Sequence, residues 1–240
     1  MTYDISNKNT LVTGANRGIG KAIVESFLEH GASKVYAGVR SLNKAEALVA
    51  EFGEKVVPVE IDYDKPASIK AAAKTADDVQ VVVSNAGVLI GAGVMDEDVI
   101  EQFQTELNIN VYGLIRMAQA FAPVLKRNGG GAFVQINSIA SLSSFPRATY
   151  PASKAASYSF TQAIRHVFEE QGTAVLSVHP GPIATDMAAA SGLEDTDPPH
   201  VVSEGIVEAL REGNFHLFPD RMAKDFEKAY HNFAEAIIEA

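Results

Sequence analysis

Short apolar, β-branched runs alternate with longer stretches of helical periodicity along the whole chain. The pattern predicts strands at Thr10–Thr13, Lys34–Gly38, Val56–Glu60, Val79–Ser84, Gly131–Asn137, Ala174–His179 and Phe215–Phe218. Between them apolar residues recur at helical spacing, as with Ile23, Phe27 and Leu28, and Gly31 marks a stop. Strands that are apolar at nearly every position are buried on both faces, which calls for a parallel sheet covered by helices on each side. The expected architecture is therefore a doubly wound α/β fold with about seven parallel strands. No repeat, linker or low-complexity tract interrupts it, so residues 1–240 are read as one domain. Gly129-Gly130-Gly131 is a turn before a strand. The one long loop, Ala188–Pro199 within a segment of about 186–204, follows the sixth strand, where such a sheet opens its ligand crevice.

Composition narrows the field without changing that picture. A chain of 240 residues with 47% hydrophobic and 21% charged side chains can bury a full core. Cysteine is absent, which excludes disulfides and thiolate metal sites and fits a reducing cytoplasm. The six histidines and the scattered carboxylates show no metal-ligand spacing, so no metal is expected. His179 reads as a structural histidine and Glu194–Asp197 as a solvated acidic loop. Met1–Ile5 has no signal-peptide character, and no apolar run approaches the ~20 residues of a membrane helix. A net charge of -10 argues against a nucleic-acid partner.

Chemistry enters with Thr13-Gly14-Ala15-Asn16-Arg17-Gly18-Ile19-Gly20, a glycine-rich turn leading from a strand into a helix. Gly14 permits the tight turn, Gly18 lets the backbone approach a pyrophosphate, and Gly20 lets the helix pack close to the sheet. The spacing, one residue wider than the usual dinucleotide fingerprint, resembles that of the short-chain dehydrogenase/reductase family. Further motifs follow in that family's order: Asp62 at the end of the third strand, Asn85-Ala86-Gly87, Asn110, Tyr150-Pro151-Ala152-Ser153-Lys154, and Pro180-Gly181 with Thr185. The resemblance implies a Rossmann fold and a nicotinamide dinucleotide. Its contacts would come from Asn16, Ile19, Asp62 with Tyr63 at the adenine, Asn85–Gly87, and Pro180, Gly181, Ile183 and Thr185 beside the nicotinamide.

The end of the second strand selects the cofactor. An NAD site places a carboxylate there for the ribose 2′-hydroxyl. This chain has Val39 followed by Arg40, and a guanidinium suits a 2′-phosphate instead. Arg17 is a second cation in the glycine loop, so NADP(H) is expected.

Tyr150 and Lys154, four residues apart, share a helix face. The lysine ammonium and the nicotinamide cation would lower the phenol pKa, making Tyr150 the general acid/base. Ser138 would orient the substrate oxygen, although Ser141 competes because the Ser138–Tyr150 interval is about one residue short of the family's usual spacing. By the same resemblance Asn110 would anchor a relay water toward Lys154. Pro151 fits only a helix's first turn. The implied activity is NADPH-dependent reduction of a neutral ketone or aldehyde. Reduction of 3-oxoacyl–carrier-protein thioesters and a non-catalytic NADP-binding regulator are the other readings. The resemblance also implies pairing of the Asn110–Val124 and Tyr150–Phe168 helices across a two-fold axis, giving a homodimer or homotetramer.

Overall fold

A computed structural model describes residues 1–239 of the chain. In chain order the strands are β1 (Asn9–Thr13), β2 (Lys34–Val39), β3 (Val56–Glu60), β4 (Val81–Ser84), β5 (Ala132–Ile136), β6 (Ala174–Val178) and β7 (His216–Leu217). They form one parallel sheet in the order β3-β2-β1-β4-β5-β6-β7. The helices are α1 (Gly18–Glu29), α2 (Glu46–Phe52), α3 (Pro66–Thr75), α4 (Val99–Glu106), α5 (Gly113–Arg127), α6 (Thr149–Glu169), α7 (Asp186–Ala190), α8 (His200–Glu212) and α9 (Arg221–Phe233).

Successive side chains of a strand point to opposite faces, and the core divides accordingly. Val12, Val83, Val134 and Leu176 pack with Ile23 and Phe27 of α1 and with Ile206 of α8. Leu11, Val82, Phe133 and Val175 meet Leu114, Met117 and Phe121 of α5 and Tyr158 and Phe168 of α6. This two-sided burial is why the strands carry almost no polar alternation. Every predicted strand is present. The last is only two residues long and pairs with β6 alone, because it lies at the sheet edge.

Parallel strands need right-handed crossovers, so the chain winds from β1 outward to β3, then restarts at β4 on the other side of β1. The loops after β1 and β4 diverge at that reversal and leave a crevice at the carboxyl ends of the strands. Two departures from the expected elements touch this crevice. Thr185 caps a short helix, α7, inside the stretch expected to be a loop: its Oγ1 accepts from Ala188 N at 3.3 Å. A π-helical turn, Leu107–Tyr112, precedes α5, so Asn110 sits in the turn and not in a regular α-helix. Gly113 follows it, where a Cβ would lie 2.2 Å from the Tyr63 ring. Only glycine allows α5 to approach the end of β3 so closely.

Candidate active site

The glycine loop is held from beneath by hydrogen bonds between distant strands. Gly14 N and Ala15 N donate to Gly38 O at 2.8 and 3.3 Å. Thr13 Oγ1 accepts from Asn85 N and Ala86 N at 2.9 and 3.0 Å, and Asn85 Nδ2 donates to Thr13 O at 2.8 Å. The Asn85 amide is thus a clamp between the ends of β1 and β4. Gly14 and Gly18 have φ of 65° and 52°, in the left-handed region that favours glycine. A Cβ on Gly20 would stand 2.1 Å from Gly14 O. The bare loop and the start of α1 therefore form a cradle open to a ligand's phosphates, with helix N–H groups at its end. Across the crevice Thr185 rests against the loop, its Cγ2 2.9 Å from where a Gly18 Cβ would be. Asn16 and Ile19 are half-buried, and Ile183 is buried in the core on the α1 and α8 side of the sheet.

The predicted catalytic residues gather beyond the end of β5. Tyr150 and Lys154 lie on the buried face of α6, 9% and 5% exposed, and Pro151 occupies that helix's first turn as its missing N–H requires. Lys154 Nζ donates to Ile136 O at 3.0 Å and stands 5.8 Å from the centre of the Tyr150 ring. Burial pushes the Tyr150 phenol up to about 12, and the Ser138 hydroxyl beside it pulls the other way. Burial pulls the Lys154 ammonium down to about 8, against the field of Glu106. The protein's own groups thus raise the phenol pKa, while the expected lowering by the Lys154 ammonium and the nicotinamide cation together concerns the loaded site. The reason is geometric: the ammonium is turned to a main-chain carbonyl, and desolvation dominates.

Both candidate serines are tied to main chain at this corner, and Ser138 Oγ donates to Pro180 O at 3.3 Å while accepting from Ala140 N at 3.1 Å. Ser141 Oγ donates to Ser138 O at 2.5 Å and meets His179 Nδ1 at 3.0 Å, so its hydroxyl is turned back onto the strand ends. Ser138 is the serine whose hydroxyl lies beside Tyr150. His179 is fully buried, with Ser177 Oγ at 2.8 Å from Nε2, and burial pulls it down to about 3. It is a neutral structural imidazole. Asn110 uses both N–H donors on Val88 O and Ser153 Oγ, each at 2.9 Å, and its Oδ1 accepts from Val88 N at 3.0 Å. Its amide donors are therefore not free to hold a water.

Of the residues expected at the adenine end, Arg40 is exposed at the close of β2 and makes no ion pair among the described residues. Arg17 does: its guanidinium bonds Asp186 of α7 at 3.1 Å, both side chains well exposed. Asp62 accepts from Asp64 N at 3.1 Å, with Lys65 Nζ 3.3 Å from its other oxygen. Tyr63 gives its side chain to the core, with the hydroxyl 3.1 Å from Thr13 Oγ1 and 3.3 Å from Ser84 Oγ, so only its main chain can face a ligand.

Three residues absent from the expected set shape the site. Asp220 accepts from Gly181 N at 2.7 Å and caps α9 through Ala223 N at 3.0 Å. Thr149 Oγ1 accepts from Ala92 N at 2.9 Å. Glu106, fully buried, accepts from Ile90 N and Gly91 N at 2.8 and 3.1 Å. Only Asp220 had a local signal, an Asp directly before a helical run. The acidic loop is exposed at Glu194 and Asp195, and its Asp195 and Asp197 both pair with Arg221, at 2.6 and 2.9 Å.

A doubly wound sheet with a glycine cradle at its reversal point, facing a buried tyrosine–lysine pair, defines a dinucleotide-binding oxidoreductase class. Comparison with known proteins specifies it further. The family model described as short chain dehydrogenase matches residues 8–195. A short chain dehydrogenase of Monascus ruber, pigC, is 32% identical over 230 residues, covering 87% of this chain and 76% of that protein. A Burkholderia cenocepacia short chain dehydrogenase, solved in complex with NADP, superposes with a TM-score of 0.89 at 32% identity, over 98% of this chain and 97% of that one. The fold alone is shared with a Burkholderia phymatum short chain dehydrogenase/reductase in complex with NAD, at TM-score 0.82 and 23% identity over 98% and 96% of the two chains. This chain belongs to the short chain dehydrogenase family.

Proposed function

We propose that this protein is an NADPH-dependent carbonyl reductase acting reversibly on neutral ketones or aldehydes. The observation that carries the reading is the burial of Tyr150 and Lys154 on one face of α6, with the Ser138 hydroxyl beside the phenol. When bound, the cofactor supplies hydride to the carbonyl carbon and takes it back in the reverse reaction. Ser138 donates a hydrogen bond to the substrate oxygen, and Tyr150 hands it a proton. Lys154, as an ammonium, stabilises the resulting phenolate, which must form against the burial that holds the phenol near 12. Asn110 acts from below, fixing Val88 and, through Ser153, the first turn of α6, since Ser153 Oγ donates to Tyr150 O at 2.8 Å.

The cradle fits the cofactor's pyrophosphate because its glycines leave no Cβ in the way. NADP(H) is favoured by Arg40 next to Val39 in place of an acid. Its support also includes the NADP found in the Burkholderia cenocepacia relative. Arg17 would have to release Asp186 to join Arg40 at the 2′-phosphate. An exposed pair of this kind holds by less than about 1 kcal/mol, so the exchange is easy.

Two loops and the short helix α7 would meet the substrate, and each exposes a large apolar side chain: Ile90, Phe145 and Met187. The Phe145 ring centre lies 6.4 Å from that of Tyr150. Such walls favour a neutral, apolar carbonyl compound over a charged one. Phe160 and Val167 on α6 and Tyr112 before α5 are exposed as well, and we expect them to meet a second copy of the chain. Light scattering at micromolar concentration checks that assembly, and a monomeric mass would refute it. The deciding experiment measures kcat/KM for aryl ketones, keto esters and a 3-oxoacyl–carrier-protein thioester with NADPH and with NADH. Neutral ketones with NADPH should win. A much higher value for the thioester, or for NADH, would refute the assignment.

A further inference from the structure

Glu106 is an anomaly in this site. It is fully buried, and while its Oε1 takes the N–H groups of Ile90 and Gly91, its Oε2 has no hydrogen-bond partner among the described residues. A buried carboxylate oxygen left unpaired is unfavourable enough to ask for a reason. Its neighbour one turn on, Asn110, holds both main-chain groups of Val88, so the pair grips one loop from a single helix face. On the far side Thr149, directly before Tyr150, grips the same loop: its Oγ1 accepts from Ala92 N, and its N donates to Ala92 O at 3.3 Å.

Lys154 has the complementary deficiency. It is a buried ammonium that makes no ion pair among the described residues, and its hydrogen bond goes to a neutral carbonyl. Gly87 stands between the two elements, because a Cβ there would be 3.7 Å from Lys154 Nζ and 3.1 Å from Asn110 Oδ1. Among the groups facing this corner, α6 contributes Tyr150 and Lys154. The preceding loop contributes Arg147, whose stem lies on Gly91, and the loop after β4 contributes Asp96, which accepts from Gly93 N. Glu106 is the carboxylate whose field reaches both Tyr150 and Lys154, favouring the protonated form of each.

We propose that Glu106 is the buried counter-charge of the Tyr150–Lys154 pair and, through Ile90 and Gly91, the positioning residue of the loop that covers the reacting carbonyl. The proposal rests on Tyr150 being the acid. Its negative charge keeps phenol and ammonium protonated to higher pH, the state that carbonyl reduction requires. Its grip on the loop fixes the wall against which the substrate sits.

The test is the pH dependence of kcat/KM for ketone reduction and alcohol oxidation in the parent, Glu106→Gln, Glu106→Asp and Tyr150→Phe. Glu106→Gln keeps an acceptor but loses the charge. The alkaline limb of reduction and the acid limb of oxidation should both move down by about one pH unit. Glu106→Asp keeps the charge but withdraws it from Ile90 and Gly91, so the limbs should stay in place while KM rises severalfold. Unmoved limbs in folded Glu106→Gln would overturn the proposal while the role of Tyr150 stands, provided Tyr150→Phe is inactive. If Glu106→Gln does not fold, Glu106→Asp decides: displaced limbs or an unchanged KM overturns it. Full activity in Tyr150→Phe would instead overturn the reading beneath it.

Discussion

Replacing Lys154 by methionine should make the protein inactive yet more stable at neutral pH. The lysine is buried, and burial pulls its pKa from the ordinary 10.5 to about 8. At about 1.4 kcal/mol per pKa unit, that difference corresponds to an unfavourable contribution of about 3 kcal/mol. Between pH 8 and 10.5 the unfolded chain holds one proton more than the folded one, so stability from this group rises with pH across that window. Below it both states are protonated and the whole penalty is present. Methionine matches the length of the aliphatic stem and removes the charge. It also removes the bond to Ile136 O, which returns about 1–2 kcal/mol of the gain. Urea unfolding at about pH 7 should therefore find Lys154→Met ahead by about 1–2 kcal/mol. The cleaner readout is the change with pH, from which the hydrogen bond cancels. The advantage should shrink by about 3 kcal/mol on going from pH 7 to above 10, leaving the variant level with the parent or below it. A stability difference that does not vary with pH would refute the reasoning, whatever its sign at neutrality.

The other expectations concern the acid, the cofactor and the loop. Tyr150→Phe should lower ketone turnover by about 10²–10⁴-fold, the usual worth of a general acid, while NADPH affinity measured by fluorescence titration stays within a few fold. Arg40→Ala should reduce NADPH efficiency by about ten- to hundredfold, since a charge-assisted hydrogen bond is worth roughly 1.5–3 kcal/mol. Adding Val39→Asp should turn steady-state preference toward NADH, and an unaltered preference would contradict the 2′-phosphate site. Gly20→Ala drives a methyl group to within 2.1 Å of Gly14 O, a main-chain atom fixed in the glycine loop. Melting should show a loss of about 2 kcal/mol or more, and cofactor binding should fail with it.

What the sequence determined by itself is whatever depends on local spacing. Strands apolar on both faces, helices of period 3.6, the glycine turn and the Tyr150–Lys154 interval each lie within a few residues, and each stands where the spacing put it. The order of the strands follows nearly as directly, because right-handed crossovers leave a doubly wound sheet few alternatives. Between Ser138 and Ser141, local pattern favoured Ser138, which directly follows the apolar strand and Asn137. What it could not show is the contact of Ser141 with His179, which comes from the end of β6, 38 residues along the chain. The partner of Arg17 comes from α7, 169 residues away, and the support of Gly181 comes from Asp220, 39 residues on. The approach of α5 at Gly113 puts the Tyr63 ring in the core and leaves its main chain as the part that can face a ligand. The state of the acid was hidden for the same reason. A tyrosine beside a lysine in sequence reads as activated, but within the protein its pKa is moved by desolvation, by the Ser138 hydroxyl and by Glu106, which the packing of α4 against α6 brings near. Local periodicity decides which face of an element is buried; what meets that face is decided by topology, and burial then sets the protonation states on which this chemistry depends.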